Sequence, residues 1–159
     1  MAGATRAERR EADESESARQ MFVGTFEHSL DDKGRVVLPS TFRSHLADKG
    51  YISQLDDCLG LWNEAGFDEV AQRLTDKMHE GAVSQDALRA FAANAHEVRP
   101  DSQGRITIPQ RLRDFAALER DVVVIGAIRR IEIWNASRWR DAGAIGDQSL
   151  SEAVRGVGL

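Results

Sequence analysis

The chain has 159 residues, a formal net charge of −5, 42% hydrophobic residues and 30% charged residues, the composition of one ordinary folded domain or two very small ones. No stretch approaches the roughly 18 consecutive apolar residues of a membrane span, and residues 1–20 lack the apolar run of a secretory signal. The single cysteine, Cys58, excludes an internal disulfide framework and a Cys-rich zinc site, so a cytoplasmic address is expected by default.

Residues 1–20 are rich in Arg, Glu, Ala and Ser with almost no large apolar side chain, which predicts a disordered tail, and Met21-Phe22 stands as an alternative start of the folded part. Met21 to Leu30 and Arg35 to Leu38 read as strands joined by Asp31-Asp32-Lys33-Gly34, where Asp opens a tight turn and Gly supplies its positive φ. Pro39 stops the second strand, and Ser40 or Thr41 is expected to cap a short helix carrying Phe42, Arg43 and Leu46. Strands near Tyr51–Leu55 and Cys58–Trp62 follow. Asn63 then caps a helix whose Phe67, Val70, Ala71, Leu74 and Met78 fall at helical spacing. Ser84 caps another with Leu88, Phe91, Ala92 and Ala95 on one face.

From His96 the order starts again. His96–Val98 leads to a turn at Asp101–Gly104, a strand at Arg105–Ile108, a short helix near Arg111–Ala117, strands at Val122–Gly126 and Arg130–Trp134, and a helix capped by Asn135. Beyond Ala144 bulky hydrophobes thin out, with a short helical turn expected at Ser149–Val154.

This recurrence is a duplication. Residues 31–46 and 101–116 share Asp, Gly, Arg, Pro and a second Arg, five identities in sixteen positions where chance gives roughly one. Leu61-Trp62-Asn63 matches Ile133-Trp134-Asn135 two residues further out of step, as a loop insertion would produce. Each copy alone buries too little to be stable, so pairing with its twin is the natural route to a core. The expected organisation is a tail (1–20), unit 1 with its helix (21–80), a linking helix (81–95), unit 2 (96–144) and a flexible tail (145–159). The fold class is α+β: two tandem hairpin-rich units forming a pseudo-twofold β-barrel with helices outside.

The charge is unevenly spread. Residues 97–113 carry four Arg against Glu97 and Asp101, whereas residues 63–80 carry five acidic side chains against two basic ones. Lys33, Arg35 and Arg43 surround the first turn, with His28 and His45 nearby; Arg99, Arg105, Arg111 and Arg113 surround the second. Taken singly, Asp31 with Arg35 or Asp101 with Arg105 reads as a salt bridge across a turn. Turn geometry asks for Asp and Gly, however, not for Arg beside them twice, and equivalent basic clusters about a pseudo-twofold suit a duplex backbone.

The string Met21-Phe22-Val23-Gly24-Thr25, then Leu30-Asp31-Asp32-Lys33-Gly34-Arg35, Pro39 and Phe42-Arg43, with the second Asp101-Ser102-Gln103-Gly104-Arg105, Pro109 and the two Trp-Asn blocks, resembles the MraZ family of bacterial transcriptional regulators. The resemblance runs from Met21 to about Ala144. It implies two tandem SpoVT/AbrB-like domains of the swapped-hairpin type, assembly into a closed homo-oligomeric ring, and binding of double-stranded DNA at short direct repeats upstream of the protein's own division and cell-wall operon. A nucleoid-associated place in the cytoplasm follows. The Asp-x-x-x-Arg signature falls on Asp31 and Arg35 and on Asp101 and Arg105. Gln103 replaces Lys33 in the second copy, so the halves need not contact DNA equally.

On this reading Lys33, Arg35, Arg43, Arg105, Arg111 and Arg113 contact DNA, and Asp31, Gly34, Asp101 and Gly104 shape the loops. Arg is well formed for bidentate contact to guanine. Head-to-tail subunits in a ring present their loops in one sense, which predicts direct repeats about one helical turn apart and repression by obstructing polymerase. An enzyme is disfavoured. His28, His45, His79 and His96 are scattered with no i,i+4 metal spacing, and no Ser elbow, Walker loop or dinucleotide fingerprint occurs. An adjacent Arg would also keep Asp31 and Asp101 ionised and poor at acid catalysis. No catalytic, metal or cofactor residue is assigned. The alternative is an AbrB-like antitoxin or protein-interaction module whose acidic helix meets a partner protein.

Overall fold

The structure, a computed structural model, describes residues 3–159. Of the tail expected to be disordered over residues 1–20, residues 1 and 2 lie outside the described residues, and Arg6–Arg19 forms helix α1. Its start is a capping box: Glu8 N–H donates to Thr5 Oγ1 at 3.2 Å and Thr5 N–H donates to Glu8 Oε2 at 2.6 Å. Lack of large apolar residues argues against a core of its own, but Ala, Arg and Glu are strong helix formers.

The remaining elements are β1 (Phe22–Ser29), β2 (Arg35–Val37), α2 (Ser40–Leu46), β3 (Gly50–Gln54), β4 (Leu59–Asn63), α3 (Glu64–His79), α4 (Gln85–Ala93), β5 (His96–Val98), β6 (Arg105–Thr107), α5 (Gln110–Phe115), β7 (Asp121–Ile128), β8 (Ile131–Asn135) and α6 (Ala136–Val157). Three of the expected caps are made. Asn63 Oδ1 accepts from Gly66 N–H at 2.8 Å, Ser84 Oγ from Ala87 N–H at 3.1 Å, and Asn135 Oδ1 from Ser137 and Arg138 N–H at 2.8 and 3.0 Å. The cap expected from Ser40 or Thr41 is not: both are inside α2, Pro39 occupies the cap position, and no side chain bonds there. Proline is tolerated at a helix start because the N–H it lacks would have no partner there. The flexible tail expected over 145–159 is instead the last turns of α6, because loss of bulky residues does not stop a helix. Gly158, left-handed at φ 72°, does.

Two sheets hold the chain together: a six-stranded antiparallel sheet in the order β1-β7-β8-β4-β3-β5 and a two-stranded ribbon β2-β6. The turn after β1 therefore does not close a ladder between β1 and β2. Each hairpin arm pairs with the other unit, β1 with β7, β5 with β3, and β2 with β6. Exchanging every strand for its counterpart (β1 for β5, β2 for β6, β3 for β7, β4 for β8) turns the six-strand order into its own reverse. The register obeys the same exchange, since Val36 faces Ile106 in the ribbon and Gly60 faces Glu132 at the centre of the sheet. These are the two points where a residue meets its own repeat equivalent.

One hydrophobic core serves both units. Val36, Leu38, Phe42 and Leu46 from the first and Ile106, Ile108, Leu112 and Ala116 from the second are all buried, with Phe22 edge-on to Phe42 at 5.7 Å. Burial of each of these side chains other than Ala116 contributes about 1.5–3 kcal/mol. Outside this core Tyr51, Trp62, Phe67 and Phe91 form an aromatic cluster that seats α3 and α4 on the first unit, with ring centroids 4.8–5.9 Å apart.

Candidate functional site

The two turns and the ribbon they feed form one continuous surface. In the first turn Asp31 Oδ1 accepts the backbone N–H of Lys33 and of Arg35, both at 2.9 Å, and Oδ2 accepts Arg35 Nε–H at 2.6 Å. In the second, Asp101 Oδ1 accepts from Gln103 and Arg105 N–H at 2.9 Å, and Oδ2 accepts Arg105 Nε–H at 2.8 Å. The Arg35 backbone N–H, with the Arg35 side chain and the Lys33 N–H, holds the Asp31 carboxyl below its ordinary value; Arg105 and Gln103 do the same for Asp101. Each carboxylate thus fixes the turn and the root of the arginine that follows. Among the described residues, only Nε of either guanidinium is hydrogen-bonded, so the Nη donors of both half-buried side chains have no protein partner.

Strand alternation sets where those arginines face. Val36 and Ile106 point inward and are 1% exposed, so Arg35, Val37, Arg105 and Thr107 lie on the outer face of the ribbon. Arg35 is opposite Thr107 and Arg105 is opposite Val37, which makes the two arginines diagonal neighbours, within reach of each other's long side chains. Lys33 and Arg111 are exposed beside them, on the first turn and on α5. An open groove of about 680 Å³ beside the first turn is lined by Asp31, Asp32, Arg113, Glu119 and Arg120, so both carboxylates and guanidinium groups border it.

Arg43 and Arg113 are placed differently. Like Arg35 and Arg105 they are half-buried, but each lies over the turn of the other unit. A Cβ added to Gly34 would overlap the Arg113 guanidinium, and one added to Gly104 would overlap that of Arg43. Sequence reasoning explains these glycines by positive φ alone (72° and 76°), and the arginine packed on each is a second reason. The signal was present in the repeat itself, where Arg43 and Arg113 recur in step with the glycines. Other basic residues around the turns have local partners. Arg99 pairs with Glu97 at 2.8 Å, and the His45 ring lies 3.1 Å from the Met21 carbonyl oxygen and packs against Phe22.

Among the described residues no group of three His, Cys, Asp or Glu side chains could hold a metal ion, and no helix is long and apolar enough to cross a membrane.

Comparison with known proteins converges on one family. The family described as "MraZ protein, putative antitoxin-like" matches residues 21–89 and again 91–154, one match for each copy of the repeat. The protein named "Transcriptional regulator MraZ" of Salinispora arenicola is 41% identical over 138 residues, 86% of this chain and 97% of that one. Proteins of the same name from Moorella thermoacetica (40% over 122 residues, 76% of this chain and 85% of theirs) and Mycobacterium tuberculosis (39% over 134 residues, 84% and 94%) are similar over nearly the same span.

Proposed function

The chain belongs to the MraZ family of transcriptional regulators, which are not enzymes, and from that premise we propose that it binds double-stranded DNA with the outer face of the β2–β6 ribbon and its two turns. The observation that carries this reading is the placement of Arg35 and Arg105 as half-buried neighbours on the outer face of the ribbon, each anchored through Nε with no hydrogen bond at Nη among the described residues. A two-stranded ribbon fits a major groove about 12 Å wide. Arg35 and Arg105 would meet base edges or phosphates at its centre, with Lys33 and Arg111 on flanking phosphates, and Asp31 and Asp101 would keep the arginines aimed without touching DNA. Because the first turn has Lys33 where the second has Gln103, the first half would carry more of the backbone contact.

On the same reading the two SpoVT/AbrB-like halves close into one pseudo-twofold barrel, and copies of the chain assemble head to tail into a ring. Exposed Met21, Val23 and Ile128 at the β1–β7 edge of the sheet supply apolar surface for such contacts. Ring subunits carry their ribbons in one sense, so the operator would be a set of direct repeats about one helical turn apart, upstream of the protein's own operon. Occupying them would block polymerase, making repression the output.

Footprinting on the DNA immediately upstream of the protein's own gene tests this. Protection at evenly spaced short repeats is expected, weakening steeply with salt; no protection at low salt, or one isolated palindrome, would overturn it. The antitoxin-like wording of the family's description favours a second reading, a module that neutralises a partner protein. Co-purification of a stoichiometric small protein would support that reading instead.

A further inference from the structure

We infer that Arg43 and Arg113 are positioning residues, each guanidinium bracing the turn of the opposite unit so that Arg35 and Arg105 keep a fixed spacing on the ribbon. This rests on the reading of the ribbon as a DNA-binding face, and it removes these two arginines from the set that touches DNA.

Three observations carry it. The packing is reciprocal: Arg113 of the second unit covers Gly34 of the first, and Arg43 of the first covers Gly104 of the second, each close enough to exclude a Cβ. The same two glycines exchange backbone hydrogen bonds between units, Gly34 C=O accepting from Ile108 N–H and Gly104 C=O from Leu38 N–H, both at 2.9 Å. Each turn is therefore held from the other half at its carbonyl and beneath an arginine. Finally, Arg113 Nε is buried with no hydrogen-bond partner among the described residues, so the root of this guanidinium is held by packing against the turn. Its Nη2 donates to Gln110 Oε1, and Gln110 Nε2 donates in turn to Asp114 Oδ1 at 2.8 Å, which fixes the guanidinium plane from its own helix. In the first unit Ser40 and Ser44 occupy the places of Gln110 and Asp114, and Arg43 makes no side-chain hydrogen bond among the described residues.

The Nη1 end of each guanidinium fills the space that a Cβ on the glycine would take, a branched planar end that the point-like ammonium of lysine does not reproduce. The consequence is specific. Without the brace the turn of the other unit loosens, and DNA is held less well by arginines that are still present.

The test uses the full chain with Arg113→Ala, Arg43→Ala, Arg113→Lys and Arg43→Lys, read in two ways. Hydrogen–deuterium exchange without DNA is expected to quicken at least fivefold over 31–38 in both Arg113 variants and over 101–108 in both Arg43 variants, while peptides from β4 and β8 stay as in the wild type. Affinity for a duplex of the sequence upstream of the protein's own gene, at low salt, is expected to fall about tenfold in each. Lysine gives no rescue, and Arg113→Ala costs less than threefold when added to Arg35→Ala. Rescue by lysine with unchanged turn exchange, or a full additional tenfold loss on the Arg35→Ala background, would mark a direct phosphate contact and overturn the inference. So would unchanged exchange and affinity in both alanine variants. If the wild-type chain binds no DNA, the proposed function fails by itself, and the exchange measurement still decides whether the arginines brace the turns.

Discussion

Val36 and Ile106 sit directly opposite one another in the β2–β6 ribbon, and each is the other's counterpart in the repeat. Both are 1% exposed, and the ribbon they hold joins a core drawn equally from the two units. Although β3–β4 and β7–β8 pair within their own units, β1 is paired to the second unit and β5 to the first, so neither copy completes its sheet alone. The two halves should therefore unfold as one. Ile106→Ala is expected to cost about 3 kcal/mol, within the range for large-to-small changes at well-packed sites. Urea denaturation followed by far-ultraviolet circular dichroism and by tryptophan fluorescence should give coincident single transitions shifted to lower urea. Two separated transitions would show that the units fold independently.

The turn carboxylates make a pH prediction. Hydrogen bonds from Arg35 and Arg105 lower the Asp31 and Asp101 pKa values from the ordinary 3.8. A group whose folded pKa is depressed stabilises the fold above its unfolded value and loses that contribution as pH falls through the folded one. The turns should consequently stay intact through pH 4 and loosen only below 3.8. Carboxyl NMR titration of Asp31 and Asp101 checks this, with midpoints expected below 3.8. The Asp31→Asn, Asp101→Asn double variant should show a flatter dependence of stability on pH in that acidic window. Midpoints at or above 3.8 would mean the carboxylates are not held by the turn hydrogen bonds.

Two glycines of nearly equal φ separate strain from packing. Gly81 at φ 82° has nothing within 4 Å of an added Cβ, whereas Gly104 at φ 76° has the Arg43 guanidinium in that place. Gly81→Ala should cost only the left-handed backbone penalty, about 1 kcal/mol. Gly104→Ala should cost about twice as much by chemical denaturation, and the excess should vanish when Arg43 is also Ala. Equal costs for the two single variants would show that the arginine moves aside freely.

Much of this architecture is legible from residue patterns because the chain states it twice. The turn chemistry of Asp31–Gly34 recurs at Asp101–Gly104, and the Asn63 cap recurs at Asn135, so each element is supported by its copy. Strand pairing was not legible in the same way. A tight turn between β1 and β2 is compatible with a local hairpin or with arms paired to another unit, and local sequence does not distinguish them. The fates of Arg43 and Arg113 were hidden for a related reason: an arginine on a short helix looks solvated until the opposite turn is brought beneath it. The terminal helices illustrate a different limit. Absence of bulky residues predicts absence of a core, but α1 has its Thr5–Glu8 capping box and α6 has no stop before Gly158.

The arginines of the ribbon provide the most direct prediction about regulation. Arg35 and Arg105 are held at Nε by Asp31 and Asp101, yet the same carboxylates keep their backbone N–H bonds when the side chains are removed. Truncation should therefore spare the turns and the assembly while deleting the Nη groups. Arg35→Ala and Arg105→Ala are each expected to weaken binding to the upstream duplex by about tenfold or more, the equivalent of about 1.4 kcal/mol or more. The double variant should bind no more tightly than a non-specific protein, with melting temperature and oligomer mass by light scattering essentially unchanged. The salt dependence distinguishes the two ways an arginine can meet DNA. Where the side chain sat on a phosphate, its removal makes the slope of log affinity against log salt shallower by about 0.9. Where it read a base edge, its removal lowers affinity at every salt concentration and leaves the slope alone. A variant whose oligomer dissociates instead would place Arg35 and Arg105 in the scaffold and leave the ribbon face without its central cations.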